Sequence, residues 1–300
     1  MARKVEKRGA CVVGCLVMET LVLVIPSTGT YPGIWSRSLC ISEGLLKGTM
    51  LPFFHRAMEE NMGIIVLNPN VNSSLEVGTS ERKPIPYNDT PEKHVLYVWD
   101  RIVSLTTAKN ILILAYGQGG NHAKALIQAR EGTILEKLRA VAFTQSLHTL
   151  HSDLSFGLSG VESKPTRDFL ENHALNWIAS DLPIGERDYV VVLAQTHTQE
   201  EEERLGCICV SAAPSSSHPA LLNYVAMSQV FDFFHYACSD VTHTTEQFWE
   251  TFLHPQNSPP RNPSDSDNMK TTNEVLVTNL PLSTHWVPDS IVSLPLSADS

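Results

Sequence analysis

A glycine-rich turn near the middle of the chain has the residue types and spacing closest to catalytic chemistry. It reads Tyr116-Gly117-Gln118-Gly119-Gly120, follows the apolar run ILILA (111–115) and precedes a helical pattern. A tight turn from a strand into a helix is where many hydrolytic enzymes hold a nucleophilic serine, within Gly-x-Ser-x-Gly. The central residue here is Gly117, which has no side chain to attack a substrate. The sequence therefore predicts the shape of a nucleophile elbow without its nucleophile.

The same turn does not predict a cofactor site. A dinucleotide-binding loop needs Gly-x-Gly-x-x-Gly, and His122 stands at the third glycine position. The twelve histidines include no His-x-x-x-His pair with a glutamate, the spacing that would hold zinc on a helix. We therefore predict no cofactor and no metal, and we interpret the histidines as scattered surface residues.

Apolar runs alternating with helical patterns must position this turn. Continuous apolar strands between helices are typical of a parallel sheet covered on both faces. Strands are predicted at LVLVIP (21–26), GIIVLN (63–68), ILILA (111–115), LRAVAFT (138–144), CICVSA (207–212) and, as an open alternative, YVVVLAQ (189–195). Helices are predicted over 45–62, 91–108, 121–130, 167–180 and 221–237, and the proline-containing stretch 70–92 is predicted to be a surface loop.

Composition limits the classes of function. The formal net charge of −10 argues against a surface that binds nucleic acid directly. The apolar run 10–26 follows basic residues as a secretion signal would, but Glu19 interrupts it and its second half reads as a core strand. Cys207 and Cys209 alternate within a strand and are predicted to be buried thiols. We therefore expect a nuclear or cytoplasmic protein with no membrane span.

Several blocks, in order and spacing, resemble the domain of argonaute-binding protein two and its animal relatives, the cotranscriptional regulators. The blocks are VIPSTGTYPGIWSRSL (24–39), GIIVLNPN (63–70), HVLYVWD (94–100), ILILAYGQGG (111–120), AVAFTQSLH (140–148), NHALNWIASDLP (172–183) and CVSAAPSSSH (209–218). The resemblance implies an α/β-hydrolase-like fold, mostly parallel with helices on both faces and truncated at its N-terminus. It divides the chain into an extension (1–17), the domain (18–238) and a largely disordered tail (239–300).

The resemblance also assigns the positions of a degenerate catalytic triad. In the family the elbow reads His-Ser-Tyr-Gly-Gly, which places the nucleophile at Gly117, the acid at Gln145 and the base at His218. The family's His-Gly oxyanion turn corresponds to Pro26-Ser27. A serine, a base and an orienting acid work as a unit, so no catalysis is expected. What remains of the pocket is predicted at Ser27, Gly29, Tyr116, Gln118, Gly119 and Ser146.

Three functional hypotheses follow. The first is a non-catalytic interaction protein, which by resemblance implies argonaute and chromatin-remodelling partners in RNA silencing, chromatin or alternative splicing. The second is a truncated chain that folds poorly. The third is a serine esterase or thioesterase with a displaced nucleophile, for which Ser27, Ser146 and Ser159 are the candidates. Ser146 and His148 are interpreted instead as a capping hydroxyl and a polar residue at the pocket rim.

Overall fold

A seven-stranded sheet lies at the centre of the computed structural model, which describes residues 11–13, 18–76, 78, 80–146, 148, 163–188, 205–239 and 244–254. The described strands are β1 (Cys11–Val13), β2 (Thr20–Ile25), β3 (Gly63–Val66), β4 (Ser73–Leu75), β5 (Arg82–Pro84), β6 (Asn110–Tyr116), β7 (Leu138–Thr144), β8 (Ala174–Ala179) and β9 (Ile208–Ala213). The order in the sheet is β1-β3-β2-β6-β7-β8-β9, and β4 and β5 form a separate antiparallel pair.

Only β1 runs antiparallel to its neighbour in this sheet, and the other six strands are parallel. The pairing of β2 with β6 brings Ile25 beside Ala115. Because both strands end at the same edge, the segments that follow them meet there, where parallel sheets form their sites. The architecture is the predicted α/β-hydrolase-like one.

Helices cover both faces of the sheet. The α-helices among the described residues are α1 (Arg37–Glu43), α2 (Leu45–Gly48), α3 (Leu51–Glu59), α4 (Pro91–Val98), α5 (Gly119–Ala129), α6 (Glu131–Ile134), α7 (Lys164–His173), α8 (Leu222–Val225), α9 (Met227–Cys238) and α10 (Thr245–Phe248). Val22 and Val24 of β2 pack on the side of α3 and α9, whereas Leu23 and Ile25 pack on the side of α4 and α5. An unbroken apolar strand is therefore required, because alternate residues enter two different cores. Among the described residues, no helix combines the length and apolar composition needed to cross a bilayer.

The prediction of one helix over 167–180 is wrong in its second half. The helix α7 ends at His173, and Ala174–Ala179 form β8 between β7 and β9. Every residue of β8 except the last is buried, so the run ALNWIA carries no polar face that would separate a strand from a buried helix. Its one internal polar side chain, Asn176, is buried and accepts a hydrogen bond from the Ser146 N–H at 3.1 Å.

The folded domain also extends beyond the predicted boundaries. The strand β1 lies within the predicted extension, and α10 with the turn of π-helix 249–253 lies within the predicted tail. Phe248 and Leu253 are buried in the core beside α9. The predicted helix 45–62 is divided into α2 and α3, the predicted loop 70–92 contains β4 and β5, and the alternative strand 189–195 lies outside the described residues.

We expect substitution of Gly119 to destabilise the protein strongly. A Cβ atom at Gly119 would overlap the backbone carbonyl of Ile25, which has no side-chain freedom with which to move away. Gly119→Ala should lower the free energy of unfolding by about 3 kcal/mol. Gly132→Ala in α6 is the matched control, because a Cβ there meets nothing, and it should be neutral or stabilising by up to about 1 kcal/mol. Denaturant titration measures both, and equal effects would contradict the close approach.

Candidate functional site

A cleft of about 300 Å³ opens at the C-terminal edge of the sheet. It is lined by residues 27–31 and 34–38 of the segment after β2, by Tyr116 at the end of β6, and by His218 after β9. The residues therefore come from three separate strand ends, as expected for a site in a parallel sheet. This places His218 and the residue before the predicted elbow at one cleft.

Gly117 has the backbone of an elbow residue. Its φ is +55°, in the left-handed region that glycine adopts readily, and its N–H donates to the Thr144 carbonyl at 3.0 Å. A Cβ atom built on Gly117 would lie 2.5 Å from Ser27 Oγ and 3.0 Å from Ser27 Cβ. The direction in which a nucleophile would project is therefore occupied by the Ser27 side chain.

The Ser27 hydroxyl also occupies a hydrogen-bond donor of the turn. Its Oγ accepts from the Gln118 N–H at 3.2 Å, and in a nucleophile elbow this is the N–H that stabilises the oxyanion. Asn70 fixes the loop: its amide donates to the carbonyls of Ser27 (2.9 Å) and Thr30 (3.0 Å), and its oxygen accepts from the Gly29 N–H. Sequence reasoning missed Asn70, although its place just after a predicted strand was a usable signal.

His218 is arranged as a hydrogen-bond donor toward the cleft. Its Nδ1 accepts from the Ala220 N–H at 3.1 Å, which caps a short 3₁₀ turn. In the neutral ring only one nitrogen carries a proton, so this contact assigns that proton to Nε2. Nε2 lies 3.0 Å from Ser38 Oγ and 3.3 Å from Ser36 Oγ. A general base needs a lone pair at that nitrogen, and this tautomer of His218 presents an N–H instead.

Gln145 belongs to the sheet and does not orient His218. It has a left-handed backbone with φ +46°, and its N–H donates to the Trp177 carbonyl at 2.8 Å. Its side-chain oxygen accepts from the Ala179 N–H at 2.9 Å. The residue thus completes the hydrogen bonding of β8, and a neutral amide cannot supply the charge that a triad acid supplies.

The interpretation of His148 as a rim residue is wrong, because its side chain is completely buried. Its Nδ1 lies 2.7 Å from Ser146 Oγ, its Nε2 lies 2.9 Å from the Leu205 carbonyl, and its ring stacks on Phe143. Burial lowers the pKa of His148 to about 3, which opposes the protonation that a general base must undergo. The Ser146–His148 pair is therefore a structural contact, and Ser159 lies outside the described residues.

The predicted pocket residues separate into two groups. Ser27, Gly29 and Tyr116 line the cleft together with His218. Gln118 contributes through its N–H, whereas Gly119 packs against the end of β2 and Ser146 is buried against Gly120.

His94 is also buried, contrary to the prediction of surface histidines, whereas His55 and His235 are exposed as predicted. His94 is 1% exposed, its Nδ1 donates to Asn88 Oδ1 at 2.8 Å, and its Nε2 accepts from the Asn68 N–H at 3.0 Å. Burial, with a smaller contribution from His122, lowers the pKa of His94 to about 4. Burial also lowers the pKa of His122, against the opposing effect of the Glu92 carboxylate. Within the described ranges, no three potential ligand side chains come together as a metal site.

Comparison with known proteins gives one family. The model of the Arb2 domain matches residues 16–184. The chain is 30% identical over 214 residues to cotranscriptional regulator ARB2A of Mus musculus and 31% identical over 215 residues to the ARB2A homolog of Xenopus tropicalis. Each alignment covers 55% of this chain and 49% of the relative, so the chain spans about half the length of the curated relatives it matches. Among solved structures, the histone deacetylase Clr3 aligns with a TM-score of 0.49 and 14% identity, over 77% of this chain and 34% of that one.

Stability should depend on pH through His94. Its pKa is lower in the folded protein than the ordinary value of 6.5, so unfolding takes up a proton and the free energy of unfolding falls as the pH drops below about 6.5. From pH 7 to pH 5 this histidine should contribute a loss of about 2 kcal/mol. His94→Gln should remove that part of the pH dependence, as measured by denaturant titration at both values. His55→Gln, at an exposed histidine, is the control and should leave the difference unchanged.

The contact between Gly117 and Ser27 should appear as a coupling between two substitutions. Gly117→Ala adds left-handed strain and a clash with Ser27, and should cost about 3 kcal/mol of stability. In a Ser27→Gly background only the strain remains, so the same change should cost about 1 kcal/mol. A double-mutant cycle by denaturant titration measures the difference. Additive effects would mean that Ser27 does not occupy the direction of the missing side chain.

Proposed function

This chain belongs to the Arb2 domain family, and from that premise we propose that it is a non-catalytic protein whose hydrolase-like scaffold serves interaction with other proteins. The observation that carries the proposal is the position of the Ser27 hydroxyl. It fills the space into which a nucleophile at Gly117 would project, and it accepts the N–H that would stabilise an oxyanion. The Ser27 side chain thus takes both the space for a nucleophile and the N–H that would stabilise an oxyanion.

The state of His218 supports the same proposal. Acyl transfer requires a base that removes the proton of the nucleophile and an acid that holds the base in the right tautomer. Here Nδ1 is used by the Ala220 N–H, and Gln145 is bonded to β8. Without these groups, the rate that binding and the remaining donors can supply is orders of magnitude below that of a working enzyme.

The biological setting of the proposal comes from the relatives. Those reported above are named cotranscriptional regulators, which favours a nuclear role. By family resemblance we propose argonaute and chromatin-remodelling proteins as partners, in RNA silencing or alternative splicing. A formal net charge of −10 favours contact with such proteins over direct contact with nucleic acid.

A serine esterase or thioesterase with a displaced nucleophile is the second candidate. The observation that favours it is that Ser27 and His218 line the same cleft. Against it, Ser27 Oγ is held by the Gln118 N–H, and the contacts of His218 Nε2 are with Ser36 and Ser38. The two candidates differ in whether a serine of the chain becomes acylated.

We expect no covalent labelling of the full chain by a fluorophosphonate probe and no hydrolysis of p-nitrophenyl acetate above the rate without protein. The physical reason is the absence of a serine with a base beside it at the elbow. Intact-protein mass spectrometry and absorbance measure the two quantities, and an active serine esterase provides the positive control. Labelling that is abolished by Ser27→Ala would establish the second candidate instead.

Binding of the chain to the proposed partner proteins is measured separately, with purified partners. Immobilised full chain should retain purified argonaute, and the unfolding-prone Gly119→Ala variant should not. Retention should persist in the Ser27→Ala variant, because the proposed role does not use the hydroxyl chemically. A folded chain that retains neither argonaute nor chromatin-remodelling proteins would contradict the proposed partners and leave the catalytic result untouched.

A further inference from the structure

We propose that the outer part of the cleft binds a small organic monocarboxylate, whose carboxylate contacts Arg37 and whose apolar body lies against Tyr31, Trp35 and Tyr116. This inference rests on the proposed non-catalytic state of the same cleft and adds the class of ligand that it takes. Benzoate is a ligand of this class that is small enough for the cleft, which measures about 300 Å³ and lies at the lower end of ligand-site volumes.

The charge of the cleft lining favours an anionic ligand. Among the described residues that line the cleft, Arg37 is the only side chain with a permanent charge, and none is a carboxylate. This contrasts with a chain that carries 32 acidic and 22 basic residues. A cleft with one sign of charge concentrates ligands of the opposite sign. A single guanidinium matches a monoanion, and its planar pair of N–H groups fits a carboxylate.

The position of Arg37 is not explained by the helix it begins. Arg37 is the first residue of α1, where the helix dipole disfavours a cation. Its side chain is placed over the Tyr31 ring, 4.6 Å from the ring centre. Attraction between the cation and the ring face favours this position of the guanidinium, and its N–H donors can bond to an acceptor in the cleft. The residue is thus placed as a binding group at the cleft.

A serine hydroxyl beside His218 provides a second hydrogen-bond donor in the same cleft. His218 Nε2, Ser36 Oγ and Ser38 Oγ form a triangle with sides of 3.3, 3.0 and 2.8 Å. The single N–H of His218 serves both of its contacts, and one hydroxyl hydrogen joins the two serines. Ser36 Oγ accepts in addition from the Leu39 N–H. One serine hydroxyl hydrogen therefore has no acceptor within this cluster, and a ligand carboxylate can accept it.

Beside Arg37 the lining is apolar and aromatic. Trp35 is buried and meets the Tyr116 ring edge to face, with 6.2 Å between ring centres. Ile34 lies beside them in the lining. Burial raises the pKa of Tyr116 to about 12, so its phenol stays neutral and does not repel an anion. A ring or branched alkyl group bearing one carboxylate can contact both this aromatic surface and the Arg37 guanidinium.

A binding experiment on the full chain tests the site with benzoate, the isosteric neutral benzamide, inorganic phosphate and a short peptide with a free C-terminal carboxylate. Ligand-observed NMR or calorimetry should show benzoate binding at least about tenfold tighter than benzamide or phosphate, because charge-assisted bonds to Arg37 are about twice as strong as neutral ones. Arg37→Gln should weaken benzoate binding at least about tenfold. Arg101→Gln, an exposed arginine outside the cleft, removes the same charge and should leave binding unchanged.

The outcomes separate this site from the proposed function. Equal binding of benzamide, stronger binding of phosphate, or an equal loss in Arg101→Gln overturns the monocarboxylate site. Binding of a peptide with a free C-terminal carboxylate in place of benzoate also overturns it, in favour of a protein ligand. No benzoate binding in a sample that hydrolyses no ester overturns the site alone. Ester turnover that benzoate inhibits overturns the non-catalytic function and supports the binding of benzoate in the cleft. Circular dichroism of each variant establishes that it is folded.

Discussion

The contact between the end of β2 and the turn after β6 sets the geometry of the whole site. These strands are neighbours at the centre of the sheet, with Ile25 paired to Ala115, so the two following segments must share a few ångströms of space. Gly119 meets this requirement because it has no side chain to strike the Ile25 carbonyl. Ser27 then bonds to the Gln118 N–H and fills the space beside Gly117. The elbow shape is thus a consequence of packing and does not need catalysis to explain it.

His218 shows how a residue at a catalytic position can be used for stability. Its ring caps the turn after β9 through the Ala220 N–H and reaches the first turn of α1 at Ser36 and Ser38. It therefore joins two segments about 180 residues apart in the sequence. A side-chain cap of this kind contributes about 1 kcal/mol. The same hydrogen bond fixes the tautomer that cannot serve as a base, so the structural use and the catalytic use exclude each other.

The local sequence pattern was sufficient to predict most of the strands and the turn after β6. The strands β2, β3, β6, β7 and β9, and the left-handed elbow, follow from apolar runs and a glycine-rich turn. β8 was missed because a strand that is buried on both faces has no alternation to distinguish it from a helix. The burial of His148 was missed because its partner, the Leu205 carbonyl, is 57 residues away. Phe248 lies in the core although its segment follows polar sequence, because it packs against Phe233 and Tyr236 of α9, a contact that no local sequence signal reveals.

Binding and turnover make different demands on a cleft, and this cleft separates them by position. Turnover needs a nucleophile and oxyanion donors at the inner end, where Ser27 occupies both the space and the N–H. Binding needs complementary charge and apolar contact, which Arg37, Tyr31 and Trp35 supply at the outer end. Contacts that stabilise a ligand equally in its ground state and transition state give affinity without rate. A blocked inner end therefore leaves the outer end able to recognise a molecule, and recognition of a ligand or partner is what a scaffold without catalysis can still provide.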